Sequence, residues 1–400
     1  LTRVATGRIF GTLFFSLLAT ITGVGIVVPL LPVYAGRLGA GGFTIGLIFG
    51  AFSLSRSFLL PLFGRLSDKK GRKPFIVAGL LAYGLVSVAF MLSSTVNQLI
   101  AVRFVQGAAS AMIMPVVQAY IGDIAPAGKE GRYMGLFNVS LFCGLSLGPV
   151  LGGMINDRFS LQAAFAAMGL LALAGCGLSF FCLPPVASEA GRLRQAASWS
   201  WRRIIRDKTI AGLFVYRFMY TACIGVIWGF LPVLADTRFH LSSSRIGVLV
   251  MLGVLVSGLI QAPMGYVADR INRKGLMVAG GLVVTLSLAL YAWADTCQVL
   301  FAASVLFGLG GGAAMPALMA IATYKGQQSA AMGSVMAVLT VAHSLGMLCG
   351  ALMAGVLMDW LSLSYAFGMG AVMMAAGIVA FVVLTARRQV PVDTLPFIDG

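Results

Sequence analysis

Long apolar runs alternate with short polar stretches along the whole chain. They fall near 9–34, 43–64, 75–94, 98–121, 133–156 and 162–183, then near 210–234, 244–266, 275–293, 297–321, 331–356 and 363–385. A helix needs about 20 apolar residues to cross a hydrocarbon core of about 30 Å, and each run meets or nears that length. Backbone groups left unpaired in lipid are costly, so the runs predict α-helices. The first run is too long for the hydrophobic region of a secretory signal and reads as a retained span. Between the sixth and seventh runs lies a polar stretch, Ser188 to Lys208, with Arg192, Arg194, Arg202, Arg203, Arg206 and Lys208. The pattern predicts an all-α integral membrane protein of twelve transmembrane helices. Residues 1–187 would form one six-helix bundle, 188–208 a cytoplasmic basic linker, and 209–400 a second bundle with a short cytoplasmic tail.

Composition agrees. Hydrophobic residues fill 59% of 400 positions and charged ones only 10%, against roughly 25% charged in soluble domains. The 50 glycines and 20 methionines suit close helix packing. Six cysteines, mostly within apolar runs and without CxxC spacing, read as core thiols rather than disulfides or metal ligands.

A net charge of +16 invites a nucleic-acid reading, but the placement of the charge excludes it. Of the 28 Lys and Arg residues, 21 fall on the side that holds both termini. Arg37, Arg158, Arg238 and Arg245 fall on the other side, and Arg56, Arg103 and Arg217 lie within runs. This bias predicts cytoplasmic termini in a multi-pass protein of the plasma membrane, the inner membrane of a bacterium. The linker, with Trp199 and Trp201, is either solvated or laid on the anionic membrane surface.

The two halves repeat at an offset of 200 to 202. Leu31-Pro32-Val33 recurs as Leu231-Pro232-Val233, Asp68 as Asp269, Arg72-Lys73 as Arg273-Lys274, Gly107 as Gly308 and Asp157 as Asp359. Six spans per unit give both copies the same orientation, hence a parallel repeat with a substrate site between the halves near mid-bilayer.

The stretch Gly64-Arg65-Leu66-Ser67-Asp68-Lys69-Lys70-Gly71-Arg72-Lys73 joins spans two and three. Its glycines suit a tight turn and close helix approach, and its carboxylate and guanidinium suit a charge-assisted latch with Asp123 at the end of span four. The second copy keeps Gly265, Asp269 and Arg273 but lacks the second glycine. This loop resembles the signature of the major facilitator superfamily. In that family a similar acid pairs with the arginine and steadies the outward-open state. Span four, opening Leu99-Ile100-Ala101-Val102-Arg103-Phe104-Val105-Gln106-Gly107, resembles a second family pattern whose arginine is linked to proton coupling. Arg103 reads as that group, as a core residue or as a snorkelling anchor. Span five places Gly144, Gly148 and Gly152 on one face, with Pro149 and Gly153. It resembles the motif of the superfamily's exporters, above all twelve-span drug:proton antiporters. The second half keeps a worn copy in Gly346, Gly350 and Gly355.

Charge inside a bilayer is expensive, at least about 2.5–3.5 kcal/mol for arginine at a helix centre on insertion scales. Arg56, Arg217 and His343 lie inside spans two, seven and eleven, and no Asp or Glu lies deep in any span. Arg56 suits an anionic or zwitterionic substrate, or binds helix carbonyls or a cavity wall. His343 reads as a proton carrier or as a neutral histidine bonded within the bundle. Tyr216, Tyr220, Asn138 and Gln118, with Arg56 and Arg217, are the pocket candidates.

The sequence holds no Gly-x4-Gly-Lys-Ser/Thr phosphate loop, HExxH or catalytic carboxylate pair, so neither an ATP-driven pump nor an enzyme is expected. No cofactor, metal or nucleic acid is implied. The resemblance implies a secondary transporter, acting as a monomer in the lipid bilayer, that exports drug-like compounds or metabolites in exchange for protons. Two alternatives stay open: a transporter of organic anions or siderophore-like metabolites using Arg56, and a non-transporting membrane sensor.

Overall fold

The computed structural model describes residues 3–126, 129–184, 207–328 and 332–386. Most of the basic linker, including Trp199 and Trp201, and the tail from 387 lie outside these. Among the described residues twelve helices follow in order: α1 (Arg3–Arg37), α2 (Gly42–Lys70), α3 (Arg72–Leu92), α4 (Val96–Ile124), α5 (Glu130–Arg158), α6 (Leu161–Cys182), α7 (Lys208–Thr237), α8 (Ser243–Arg270), α9 (Arg273–Ala292), α10 (Cys297–Gln328), α11 (Met332–Trp360) and α12 (Leu363–Thr385). Each is long and apolar enough to span a membrane. Several outrun the apolar stretch that announces them, since their polar end turns stay helical beyond the lipid core.

Local chemistry sets many of the starts. Thr95 and Gln98 form a reciprocal capping box at α4, and Ser160 and Asp207 accept first-turn amides of α6 and α7. Pro29, Pro32, Pro61, Pro115 and Pro149 sit inside helices of the first half. Neighbouring helices in a membrane bundle make such prolines tolerable.

Packing repeats with the sequence. α1 packs on α5 and α6, α2 on α4, and α3 on α4 and α6; correspondingly α7 packs on α11 and α12, α8 on α10, and α9 on α10 and α12. The two sets meet mainly along α2 with α11 and α5 with α8. All six cysteines are free, but Cys143 and Cys182 are exposed on helix surfaces rather than in the core. An apolar neighbourhood in sequence does not say which face of a helix a thiol occupies.

Successive helices alternate in direction, so the loops at 64–73 and 265–274 share one end of the bundle, here the loop end. The sets touch from the far end to mid-bundle. A Cβ built on Gly153 would strike the Ser243 carbonyl, one on Gly247 the Pro149 carbonyl, and one on Gly258 the Phe142 ring. On the other seam, Gly355 meets the Gly42 carbonyl and Gly46 meets Ala351. Among the described residues the hydrogen bonds between the sets are all at the far end, and toward the loop end Gly64, Gly131, Gly135, Gly265 and Gly333 have nothing within 4 Å of a Cβ position.

Candidate functional site

The residues read as a latch cluster around Arg72, which is 4% exposed. It forms an ion pair with Asp68, its Nε donates to Asp123 Oδ2 at 3.1 Å, and its Nη1 donates to Ser67 Oγ at 2.9 Å. Gly71 makes the turn with φ 90°, a left-handed value that suits glycine. Lys73 sits over the Phe180 ring. The second copy is looser. Arg273 donates to Asp269 Oδ1 at 3.2 Å and to the Ala268 carbonyl at 3.1 Å. Asn272 stands where Gly71 would, and its side chain caps α9. At the counterpart of Asp123 stands Tyr324, and the next residue, Lys325, is bonded to Asp207 Oδ2 at 3.4 Å. One expectation needs correcting: Gly64 and Gly265 make no close helix approach in this conformation, because the loop end is apart.

The glycine face of α5 packs on α1. Gly144 lies against Ile21 and Thr22, Gly148 against Gly25 and the Thr22 carbonyl, and Gly152 against Ile26, while Gly153 turns to α8. The copy that reads as worn does the same work: Gly346 meets the Phe218 carbonyl, Gly350 the Ala222 carbonyl, and Gly355 turns to α2.

At the far end each seam is clasped by an acid. Asp157, from α5, accepts the Ser243 and Ser244 amides at 3.0 and 2.8 Å and the Ser244 hydroxyl at 2.6 Å. Beside it Asn156 donates to Ser243 Oγ at 2.7 Å. Asp359, from α11, accepts the Gly42 and Phe43 amides at 2.5 and 2.8 Å. The N-cap of α2 is Gly41, which has no side chain to cap with, so Asp359 fills that role across the seam. A carboxylate at a helix N-terminus satisfies orphan amides and opposes the helix dipole.

In the interior, Arg103 is 4% exposed. Its Nη1 donates to Gln106 Oε1 at 2.7 Å, its Nε to the Ile48 carbonyl at 3.4 Å, and its guanidinium lies over Phe49 and Phe52. It ties α4 to α2 and does not snorkel. Arg217 Nη1 approaches Met315 Sδ at 2.6 Å, and Nη2 lies 3.3 Å from His343 Nδ1. Guanidinium only donates, so Nδ1 accepts and the ring hydrogen sits on Nε2. Arg56 makes no hydrogen bond or ion pair among the described residues, and its Nε, like that of Arg217, is buried without a partner. Gly46 meets Ala351 and Gly50 meets Leu348, a register that sets Arg56 level with His343, so α2, α7 and α11 bring three basic groups to one region.

A profile described as Major Facilitator Superfamily matches residues 13–234 and 213–398. The chain belongs to the Major Facilitator Superfamily. Major facilitator proteins are membrane transporters, so this one is a secondary transporter of small molecules and not an enzyme. It is 26% identical over 367 residues to an uncharacterised MFS-type transporter of Methanocaldococcus jannaschii, covering 90% of this chain and 94% of the other. It is 25% identical over 387 residues to multidrug resistance protein 2 of Bacillus subtilis, covering 92% and 94%. A crystal structure of the nucleoside transporter NupG shares the fold at a TM-score of 0.79 and 14% identity, over 95% of this chain and 100% of that one.

Within this major facilitator fold the remaining pocket candidates separate. Tyr220 is buried with its ring stacked on Phe307. Tyr216 is fully buried; it donates to the Met277 carbonyl at 2.7 Å and packs edge-on to Phe381, so it joins α7 to α9 and α12 and does not line a pocket. Asn138 and Gln118 are exposed on α5 and α4. Asp157 and Asp359 stand out in the sequence as a repeat match, and nothing there shows them as clasps. A usable signal was present: acids at equivalent ends of two glycine-rich spans, opposite helix starts made of Gly41-Gly42 and Ser242-Ser243-Ser244.

Proposed function

We propose that the protein exports small molecules, drug-like compounds or metabolites, by alternating access in the plasma membrane, with its loop end cytoplasmic. Residues 1–187 and 209–400 rock as two bodies about the central site. The observation that carries this reading is the lopsided contact between the sets: clasped at the far end, apart at the loop end. That is one of the two packings such a cycle needs. The excess of Lys and Arg at the loop end supports the orientation.

The direction of transport rests on the glycine face of α5, which resembles the exporters' motif, and on the likeness to a multidrug resistance protein. Exchange against protons belongs to the same reading. His343 Nδ1 is the interior acceptor at which an incoming proton would displace the Arg217 hydrogen bond.

Efflux of a fluorescent substrate from proteoliposomes, with and without an imposed proton gradient, tests both parts. The expected result is efflux that collapses when an uncoupler is added. Efflux indifferent to the gradient would sink the exchange, and absence of any conformational exchange between the two ends would sink the transport cycle.

A further inference from the structure

We infer that the central site binds a soluble organic anion, with Arg56 and Arg217 contacting its carboxylate or equivalent acid group from opposite halves. The inference rests on the alternating-access reading and is independent of what powers the cycle. An anion leaving a cell with a negative interior is already driven by the membrane potential.

The argument starts from charge balance. Arginine does not lose its proton in proteins, so Arg56 and Arg217 are permanent cations. None of the chain's 12 Asp and Glu residues falls in the middle of a span, and neither arginine has a carboxylate partner among the described residues. Their neighbours differ from those of the other buried basic groups. Arg72 sits between Asp68 and Asp123, Lys325 against Asp207, and Arg103 has Gln106, a backbone carbonyl and two aromatic faces. Arg217 has only a thioether and a neutral imidazole nitrogen, and Arg56 has neither. Both keep a buried Nε with no acceptor.

A buried polar group left unsatisfied is rare enough to need an explanation. Two permanent cations on facing helices, short of acceptors, are complementary to a planar acid group, which accepts paired N–H bonds from guanidinium. An organic cation would meet two like charges and no acceptor. The apolar wall nearby, with Tyr220 stacked on Phe307 and the Met315 thioether, suits a substrate with an apolar body behind its acid.

The test uses the full-length protein, purified in nanodiscs of phosphatidylcholine, and four probes alike in shape: benzoate, phthalate, benzamide and benzylamine. Melting temperature is followed against probe concentration. Benzoate or phthalate is expected to stabilise the parent, with half-saturation at least tenfold weaker in Arg56→Gln and in Arg217→Gln, partly restored by Arg→Lys, and unchanged in Arg37→Gln at the far end. The melting temperature without probe shows whether each variant folds. Equal stabilisation by benzylamine or benzamide, no response to either anion, or parental response in both Gln variants would overturn the inference. Loss of the benzoate response on adding phosphatidylglycerol would assign the site to a lipid headgroup and also overturn it. Anion binding without conformational exchange between the ends would leave the site standing and remove the transport cycle instead.

Discussion

Removing the far-end clasps should tip the protein toward its opposite conformation by an amount set by the caps. Each acid satisfies two first-turn amides of a helix in the other set, Asp157 at Ser243 and Ser244 and Asp359 at Gly42 and Phe43. Truncating an N-cap to alanine costs about 0.5–2 kcal/mol, typically about 1. Only the conformation closed at the far end makes these contacts, so the whole cost falls on that state. The two clasps lie on separate seams and should add. Asp157→Ala with Asp359→Ala therefore costs about 2 kcal/mol, a shift of roughly 30-fold, since 1.4 kcal/mol is tenfold. Asparagine caps nearly as well as aspartate but carries no charge. The Asn pair should lose only the dipole contribution, about 0.3–1 kcal/mol per site, and less in high salt. Spin labels at Phe159 and Tyr365, exposed and one in each set, would read the far-end separation by double electron–electron resonance. The expected result is a longer-distance population that is large in the Ala pair, small in the Asn pair and least in the parent. Identical distributions in all three would refute the reasoning.

Three further outcomes follow from the same geometry. Arg72→Ala leaves Asp68 and Asp123 facing each other beside a buried site, and breaking a buried pair costs about 3–5 kcal/mol. Arg273→Ala, whose partner Asp269 is 70% exposed, should cost under about 1 kcal/mol, and thermal melts by size-exclusion fluorescence would separate the two. Gly148→Val drives a side chain into the Thr22 carbonyl and Gly25 and should cost about 1–3 kcal/mol or more. Gly64→Val should leave this conformation's melting temperature alone but slow transport if the loop end closes over that position. The Asp207 carboxyl lies below the usual carboxylate range: burial alone would raise it, but the Thr209 and Ile210 amides and the Lys325 charge outweigh that. Its contribution is therefore present above the unfolded value near 4 and fades as pH falls through the lower folded value. Asp207→Asn should lower the melting temperature at pH 7, with the gap to the parent closing below about pH 4.

Much of this molecule is legible along the chain because membranes impose a one-dimensional rule. Twelve apolar runs give twelve helices, and the repeat from Leu31-Pro32-Val33 to Leu231-Pro232-Val233 is matched by repeated packing. The Asp68–Arg72–Asp123 ion-pair cluster was readable because Asp68 and Arg72 stand one helical turn apart and Asp123 ends a span on the same side. Arg103 was harder, since proximity to a helix end suggests snorkelling; yet Gln106, three residues on, is the partner that draws it inward. The clasps were not readable as clasps. Asp157 and Ser243 belong to different sets, and their meeting depends on which conformation is populated, which no local spacing encodes. Tyr216 misleads for another reason: periodicity places it one residue from Arg217, but adjacent residues on a helix point about 100° apart, and its hydroxyl finds Met277 on α9.

The far-end seams are closed largely by peptide groups touching peptide groups, Gly153 on Ser243 and Gly42 on Gly355. The side chains that stand there, Asp157, Asn156 and Asp359, are themselves bonded across the seams. Opening this end therefore means drawing whole helices apart, because contacts between backbones cannot be released by turning a side chain.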